Sequence, residues 1–349
     1  MTAPNPSADF IIGVDTHKHS HTAAVVNPLG AELATSTQPV TTAGYAKLLS
    51  FAQTHAGQQR LWAIEGTGSY GRGLTTYLLA QDESVIEIDR PARPARRNGA
   101  KNDALDAVRA AREALSRDRL AEPRCRGDRE SLRLLLRTRN GAVDAYKKAL
   151  CHLKALVVTA PAALHDRLTP LKTDALLKQC SRLRICPGHA AEYRTTVLVL
   201  RSTARRAQAL GAEAEMLKNE LDELMRRLAP TLRAEKGVGA ITGGELLCAW
   251  SHPGRFRSEA AFATLAGVAP IPASSGQMTR YRLNRGGDRQ LNRALHTIVL
   301  SRLAHDDETK RYAERRQAEG KTPREIKRCL KRHLARRLFK LMERMPMPA

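Results

Sequence analysis

Four acidic residues of this 349-residue chain stand where their carboxylates could act together on a metal ion. Asp15 and Glu65 each end a short apolar run, at residues 10–14 and 61–64, so both are expected at the ends of buried strands. Asp103 and Asp106 are spaced i and i+3, which places them on one face of an expected helix. Converging carboxylates repel one another unless a cation lies between them, and Mg²⁺ or Mn²⁺ prefers such oxygen ligands. Each acid taken alone could equally be a turn, cap or surface residue.

A second group of candidate residues lies in the last third of the chain. Ser274 and Ser275 precede Gly276 in a loop rich in glycine and proline. A serine hydroxyl beside guanidinium groups can attack a phosphodiester, because the cations lower its pKa and stabilise the developing charge. Ser-Ser-Gly loops are also common as purely structural loops, so both interpretations stay open. The arginines that follow the serines are candidates for phosphate contact: Arg280, Arg282, Arg285 and Arg289.

A glycine-rich turn provides another candidate phosphate contact. Lys236, Gly237 and Gly239 stand just before an apolar segment, a pattern similar to a helix-hairpin-helix element. In such an element the backbone N–H groups at a helix N-terminus approach a DNA phosphate. The alternative is a glycine-capped turn between two packed helices.

The elements that would position the acids follow one another in a recognisable order. Three strands that can pair antiparallel precede a helix, a strand, a helix, a strand and a helix, which is the element order of the ribonuclease H fold. Its first strand lies beside its fourth, so Asp15 and Glu65 would meet. We interpret the glycines of residues 66–71 as a tight turn. The alternating His17, His19 and His21 could bind a metal ion, but we interpret them as a strand entrance. The strands are expected at residues 10–15, 21–27, 31–38, 61–65 and 84–89, and the helices at 42–55, 71–81 and 102–116.

The middle of the chain carries apolar residues at heptad spacing. The first such stretch spans residues 132–157, and the second spans residues 210–228. Spacings of four and three are typical of a coiled coil. An antiparallel helix pair within one chain and an interface between copies, giving a dimer or tetramer, are equally open. The second stretch carries Leu210, Ala214, Leu217, Leu221, Leu224 and Leu228.

Charge is distributed unevenly along the chain. The chain has 58 Lys and Arg against 35 Asp and Glu, a net charge of +23. Residues 1–120 carry only +1, residues 121–230 carry +9 and residues 231–349 carry +13. Such a field attracts polyanions, and nucleic acid bound through its backbone phosphates is the favoured partner. A basic helix that starts at Thr322 and Pro323 is expected to contribute, through Lys327, Arg328, Lys331, Arg332, Arg336, Arg337 and Lys340.

The composition also bears on location. No run of about 18 apolar residues occurs, so a transmembrane helix is not expected. The basic segments lack bulky apolar faces with Trp or Phe anchors, so an acidic membrane surface is not expected as a partner either. The first residues lack the basic and apolar regions of a secretory signal. The six cysteines contain no CxxC pair, which favours a reducing cytoplasm over a disulfide framework.

Several motifs together resemble those of one protein family. They are GVDTHK around Asp15, AIEGTGSYG around Glu65, KNDALDA around Asp103 and Asp106, KGVGAITGGELL from Lys236, and the segment of residues 256–295. Together they are similar to the DEDD-type insertion-sequence transposases, relatives of the Piv-type DNA invertases. The resemblance implies an α/β RuvC-like domain of the RNase H fold at residues 1–120, a helical coiled-coil arm at 121–230, and a mainly helical transposase domain at 231–349.

The resemblance also implies a site and a reaction. The family's four metal-binding acids correspond to Asp15, Glu65, Asp103 and Asp106, and its nucleophilic serine to Ser275, with Ser274 one residue away. Strand cleavage and rejoining would pass through a phosphoserine, guided by a structured non-coding RNA of the element that pairs with donor and target DNA. The site could be assembled between protomers.

Four other functions are compatible with parts of the sequence. A RuvC-like nuclease or resolvase would use the same metal site with water as nucleophile. A non-catalytic nucleic-acid-binding protein would leave the acids structural. An actin-like ATPase is suggested only by residues 13–16, which loosely resemble a phosphate-binding first strand. The sequence lacks the second phosphate loop and the adenosine motif that such an enzyme would need. A tyrosine recombinase using Tyr281 or Tyr312 would leave the four acids unexplained.

Overall fold

The structure is a computed structural model in which the chain forms two compact units. Unit 1 consists of residues 1–125 and 251–257, and unit 2 of residues 126–250 and 258–349. The separate boundary expected at residue 230, between an arm and a C-terminal domain, stays a prediction. The residues that the structure describes are 8–88, 102–117, 120–123, 127–185, 188, 190–272, 281–282, 284 and 286–345.

Unit 1 is built around a five-stranded sheet in the order β3-β2-β1-β4-β5. β1 pairs antiparallel with β2 and parallel with β4, which is the arrangement expected for the ribonuclease H fold. The expected elements are confirmed to within about two residues at each end. They are β1 (Phe10–Thr16), β2 (Ser20–Val26), β3 (Glu32–Pro39), α1 (Thr42–His55), β4 (Arg60–Glu65), α2 (Arg72–Leu79), β5 (Val85–Ile88) and α3 (Asp103–Leu115).

The two faces of the sheet bury different residues because side chains alternate along a strand. Ile12 and Val14 of β1 face the core formed with α1 and α2. Ile11 belongs to the opposite core, which β1 forms with the alanine-rich face of α3. By the same alternation, Gly13 and Asp15 follow Ile11 on the α3 side. The sheet is therefore covered on both faces, and Asp15 is on the side where α3 packs.

Gly13 lets α3 approach β1 closely. A Cβ atom at this position would lie 1.9 Å from the carbonyl oxygen of Ala107 and 2.6 Å from the backbone nitrogen of Ala111, both in α3. No side chain fits in that space. The helix that begins with Asp103 thus packs directly against the strand that ends with Asp15.

Unit 2 is mainly helical and is organised by two long helices. Asp128, at the start of the first, pairs with Arg227 near the end of the second at 3.0 Å, and Leu153 near the end of the first shares a core with Leu200. The helices are therefore antiparallel. The elements of unit 2 are α4 (Asp128–Val158), α5 (Ala162–Leu168), α6 (Thr173–Ser181), α7 (Ala191–Leu228), α8 (Pro230–Arg233), α9 (Ala240–Trp250), α10 (Glu259–Leu265), β6 (Ile271–Pro272), β7 (Tyr281–Arg282), α11 (Arg289–His305), α12 (Asp307–Ala318) and α13 (Pro323–Met342).

The heptad residues of α7 are used within the chain. Ala214 and Leu221 are buried, whereas Leu210, Leu217 and Leu224 are half-buried. The antiparallel pairing of α4 and α7 matches the intramolecular alternative. A coiled-coil interface between copies stays a prediction. No helix among the described residues is long and apolar enough to cross a membrane.

We expect Gly13→Ala to destabilise unit 1 by about 3 kcal/mol, because the added methyl group must push α3 away from β1. Chemical denaturation followed by circular dichroism measures this change. Gly141→Ala is the control, since a Cβ at Gly141 in α4 meets nothing within 4 Å. That variant should be neutral or slightly stabilising. Equal stability of the two variants would contradict the close packing of α3 on β1.

Candidate active site

Asp15 and Glu65 stand at the same edge of the sheet, as the sequence predicts. Val14 pairs with Ile64 in the parallel β1–β4 ladder, so the next residue on each strand is one of the two acids. The Thr16 hydroxyl donates to the carbonyl oxygen of Glu65 at 2.9 Å and ties the two strand ends together. Leu61 and Ala63 of β4 belong to the core shared with α3, so the alternation of β4 places Glu65 on that face too.

The sharp turn after Glu65 is the one expected from the glycines. Gly66 has a φ of 68°, and its carbonyl oxygen accepts hydrogen bonds from the backbone N–H groups of Ser69 and Gly71. A positive φ of this size favours glycine. The chain therefore turns directly from β4 into α2.

Asp103 and Asp106 lie in the first turn of α3. The side chain of Asn102 accepts a hydrogen bond from the Ala104 N–H at 3.0 Å and caps the helix. The helix dipole favours acidic residues at this end. Asp106 also pairs with Arg109 at 2.7 Å, one turn along the same helix.

The structure brings Asp15 and Asp103 together, with a histidine between them. His17 Nε2 lies 3.1 Å from Asp15 Oδ2 and 3.3 Å from Asp103 Oδ1. One ligand atom from each of the three residues lies within 4.8 Å of the others. The side chain of Asp15 is only 12% exposed, and that of Asp103 is 47% exposed. This cluster connects the end of β1 with the start of α3.

The electrostatics of the cluster disfavour an unneutralised Asp15. Burial raises the pKa of the Asp15 carboxyl, the nearby His17 lowers it, and the negative charges of Asp103 and Asp106 raise it further. The net pKa lies above the ordinary value of 3.8. A bound cation would offset both the burial and the repulsion.

The donor set fits a divalent metal ion. Asp15 and Asp103 supply carboxylate oxygens of the kind that Mg²⁺ and Mn²⁺ bind. Both belong to the cluster whose ligand atoms lie within 4.8 Å of one another, close enough to contact one ion. A metal-binding role for the alternating histidines was one interpretation of the sequence, but the strand entrance was preferred, so His17 was not assigned to this cluster. The alternation of three histidines was the only signal, and it does not distinguish His17 from His19 or His21.

The candidate nucleophile lies outside the described residues. Residues 273–280 include Ser274, Ser275 and Arg280, and Arg285 is likewise not described. The strands β6 and β7 pair antiparallel immediately before and after residues 273–280. Arg282 in β7 and Arg289 at the start of α11 are both exposed. These two guanidiniums are accessible for the phosphate contact expected of them.

A partly buried polar network joins the chain before β6 to the chain after β7. The backbone N–H of Asp288 donates to the carbonyl oxygen of Leu265 at 2.6 Å. The Asn292 amide donates to the carbonyl oxygen of Ala266 at 2.7 Å and accepts from Lys331 Nζ at 3.1 Å. This network fixes both ends of the segment that carries Ser275.

The network changes the role expected of one basic residue in α13. Lys331 is only 9% exposed, and burial lowers the pKa of its ammonium group. The expectation that Lys331 contacts phosphate is therefore wrong, because the residue is directed inward to Asn292. Periodicity shows the buried face of a helix but does not reveal that a lysine inside it has a polar partner.

The glycine turn before α9 is engaged within the protein. The Gly239 N–H donates to Thr242 Oγ1 at 2.9 Å, and Lys236 Nζ pairs with Asp306 at 2.8 Å. The ammonium group of Lys236 holds the pKa of Asp306 well below its usual range. Gly237 has a φ of 80°, and a Cβ there would lie 3.0 Å from the carbonyl oxygen of Ile298. A phosphate bound at this turn would compete with these contacts, and the helix-hairpin-helix function stays a prediction.

Two family models match separate parts of the chain. Residues 12–160 match a DEDD model of the IS110 group that is described as a transposase. Residues 229–314 match the model described as the transposase IS116/IS110/IS902 family. The first match contains all four acids and the second contains Ser275. A DEDD-type domain indicates dependence on a divalent metal.

Two relatives are proteins of insertion elements. An uncharacterized 43.6 kDa protein of insertion element IS110 from Streptomyces coelicolor is 30% identical over 59% of this chain and 50% of its own length. An uncharacterized 42 kDa protein of insertion element IS900 from Mycobacterium paratuberculosis is 25% identical over 88% of this chain and 89% of its own length. The chain thus spans half of the first relative and most of the second.

The two matches, both to models described as transposases, agree with the sheet order and the acidic cluster of unit 1. The chain belongs to the IS116/IS110/IS902 family of insertion-sequence transposases. The family expected from the sequence motifs is confirmed.

We expect Asp15→Asn to weaken Mn²⁺ binding about tenfold or more while raising the melting temperature by ~2 °C in metal-free buffer at pH 7. A carboxyl whose folded-state pKa is raised favours its protonated form, so its contribution to stability falls as the pH rises through that pKa. The variant removes this unfavourable charge together with a metal ligand. When the pH is lowered, Asp15 of the unmodified protein becomes protonated at a higher pH than an ordinary aspartate, whose pKa is 3.8. Its Mn²⁺ affinity should therefore begin to fall while the pH is still above 3.8.

Titration calorimetry with MnCl₂ and thermal unfolding in EDTA measure the two effects. Asp9→Asn is the matched control, because Asp9 is exposed in the same unit and precedes β1. Unchanged Mn²⁺ affinity in Asp15→Asn would rule Asp15 out as a ligand.

Proposed function

We propose that this protein is a DNA transposase that cuts and rejoins DNA strands through a phosphoserine at Ser275. The observation that carries the proposal is the convergence of Asp15 and Asp103 from separate elements in a chain of this family. A metal ion held by such a cluster can act on a phosphodiester. The strongly basic residues 121–349 can bind the phosphates of DNA.

Asp15 and Asp103 would hold the divalent ion, Mg²⁺ or Mn²⁺, with Glu65 and Asp106 as the further ligands of the four-acid set. When bound, the ion supplies charge stabilisation to the phosphoryl group and to the leaving oxygen. His17, within contact distance of both aspartates, would orient Asp15 and Asp103 or join them as a ligand.

Ser275 would act in two balanced steps. Its Oγ forms a bond to phosphorus as the bond to the 3′ oxygen breaks. The serine proton passes to solvent, and the departing strand ends in a 3′ hydroxyl. A 3′ hydroxyl of the other DNA then attacks the phosphoserine, so that a new phosphodiester forms and Ser275 regains its proton. The phosphoserine bond conserves the free energy of the cleaved phosphodiester, so the rejoining step needs no ATP.

The exposed arginines Arg282 and Arg289 would hold the phosphates next to the serine segment, together with Arg280 and Arg285. The donor and target DNA would be selected by a structured guide RNA of the element. We further propose that copies of the chain assemble as a dimer or tetramer through the arm, and that the protein acts in the cytoplasm. The basic charge of residues 121–349 supports nucleic-acid partners of either kind.

The experiment combines full-length protein, Mg²⁺, RNA transcribed from the element and fluorescently labelled donor and target DNA. A covalent protein–DNA adduct that survives detergent and disappears with protease is the readout. We expect Ser275→Ala and Asp15→Asn each to reduce the adduct by about 100-fold or more. Ser274→Ala is the matched control and should still form it.

An adduct that persists in Ser275→Ala would disprove the nucleophile. Strand cleavage that needs Asp15 but yields no adduct in the unmodified protein would show a nuclease that uses water. Full activity in Asp15→Asn would show that the acids are structural.

A further inference from the structure

A cavity at the end of the α4–α7 helix pair is lined by three arginines and a tyrosine. It has a volume of about 320 Å³ and lies between α5, the segment after α6, and the first turns of α7. Arg167, Arg182 and Arg184 line it, together with Tyr193 and Leu183. A cavity of this size lies in the range of small-ligand sites.

The three guanidiniums lack counter-charges within the part of the chain that the structure describes. No acidic side chain lines the cavity, and none of the three arginines forms an ion pair with a described residue. The acids nearest in sequence are Asp166, which contacts His165 at 3.1 Å, and Glu192, and neither lines the cavity. Three uncompensated positive charges around one hollow favour an anionic ligand.

The cavity is held in shape by α7. Arg205 Nε donates to the carbonyl oxygen of Ser181 at 3.2 Å, and Arg201 donates to that of Leu183 at 3.4 Å. These bonds fix the backbone on either side of Arg182. Leu183 is buried in the core of this end of the arm. A pre-formed site loses less conformational entropy when it binds.

We propose that this cavity, defined by Arg167, Arg182, Arg184 and Tyr193, binds an unpaired nucleotide of a nucleic-acid strand. The phosphates contact the arginines, and the base packs on the ring of Tyr193. Stacking on an aromatic side chain together with guanidinium contacts is the typical recognition of unpaired bases. A paired duplex presents no free base to the tyrosine, so the site distinguishes looped from fully paired segments. The proposal rests on the proposed function only in taking nucleic acid as the partner.

Positively charged residues continue from the cavity along α7. Arg194, Arg201 and Arg205 recur at spacings of seven and four residues, which places them on one face of the helix. A strand seated in the cavity can extend along this face, with neighbouring phosphates near these arginines.

The test measures binding by fluorescence anisotropy with full-length protein, independently of strand transfer. The probes are a labelled RNA stem with a ten-nucleotide unpaired loop, its DNA counterpart, and a loop-free RNA duplex. We expect the triple variant Arg167→Gln, Arg182→Gln and Arg184→Gln to weaken binding of the looped probes about 30-fold and to lower the salt slope by about 2. The matched control removes three exposed lysines of α4 and the same charge: Lys147→Gln, Lys148→Gln and Lys154→Gln.

The tyrosine supplies the second arm of the test. Tyr193→Leu should weaken binding of looped probes about tenfold and leave duplex binding unchanged, whereas Tyr193→Phe should bind like the unmodified protein. If the variants lose more affinity for the RNA probe than for the DNA probe, the site is assigned to RNA. An equal loss of affinity assigns it to a strand of either kind.

Equal weakening by the two triple variants, or no effect of Tyr193→Leu, would overturn the proposed site. Binding is measured without strand transfer, so failure of the Ser275 nucleophile leaves this result intact. If the unmodified protein binds none of the probes, both the site and the proposed nucleic-acid function fail.

Discussion

The close packing of α3 on β1 is the constraint on which the acidic cluster depends. Because Gly13 has no side chain, the backbone of α3 can lie against the strand, and the alanines of α3 fill the remaining space. The helix therefore starts beside the strand end, and Asp103 lies next to Asp15 and His17. Burial of Asp15 beside this well-packed core raises the pKa of its carboxyl, and the negative charges of Asp103 and Asp106 raise it further. The stability of the fold and the proposed metal binding would thus make opposite demands on this carboxylate.

Small residues have a similar role in unit 2. A Cβ at Gly243 would lie 2.6 Å from the methyl carbon of Met225, and one at Gly244 would lie 3.3 Å from Leu136 and from Leu221. These glycines let α9 pack tightly on α4 and α7, so the glycine-rich sequence has a packing role besides any contact with phosphate. Asn292 and Lys331 then tie the two ends of the serine segment to α11 and α13. The candidate nucleophile is thus flanked by well-anchored chain.

Much of unit 1 could be predicted from the sequence, because each strand is a short apolar run and two of them end in an acid. The positions of Asp15, Glu65, Asp103 and Asp106 followed from the strand order and the helix period. His17 could not be assigned, since its place depends on how the chain leaves β1. The burial of Lys331 was equally hidden, because its partner Asn292 is distant in sequence. Heptad spacing indicated two long paired helices, but spacing alone does not reveal whether the partner is the same chain or a copy.

We propose that the end of β1 and the start of α3 hold a divalent metal ion. Anomalous diffraction at the manganese edge, from crystals of the full chain grown with MnCl₂, would locate that ion. We expect an anomalous peak within coordination distance of both Asp15 and Asp103, and no such peak in crystals of Asp15→Asn. Manganese bound only elsewhere on the chain, with Asp15 and Asp103 both uncoordinated, would contradict the claim.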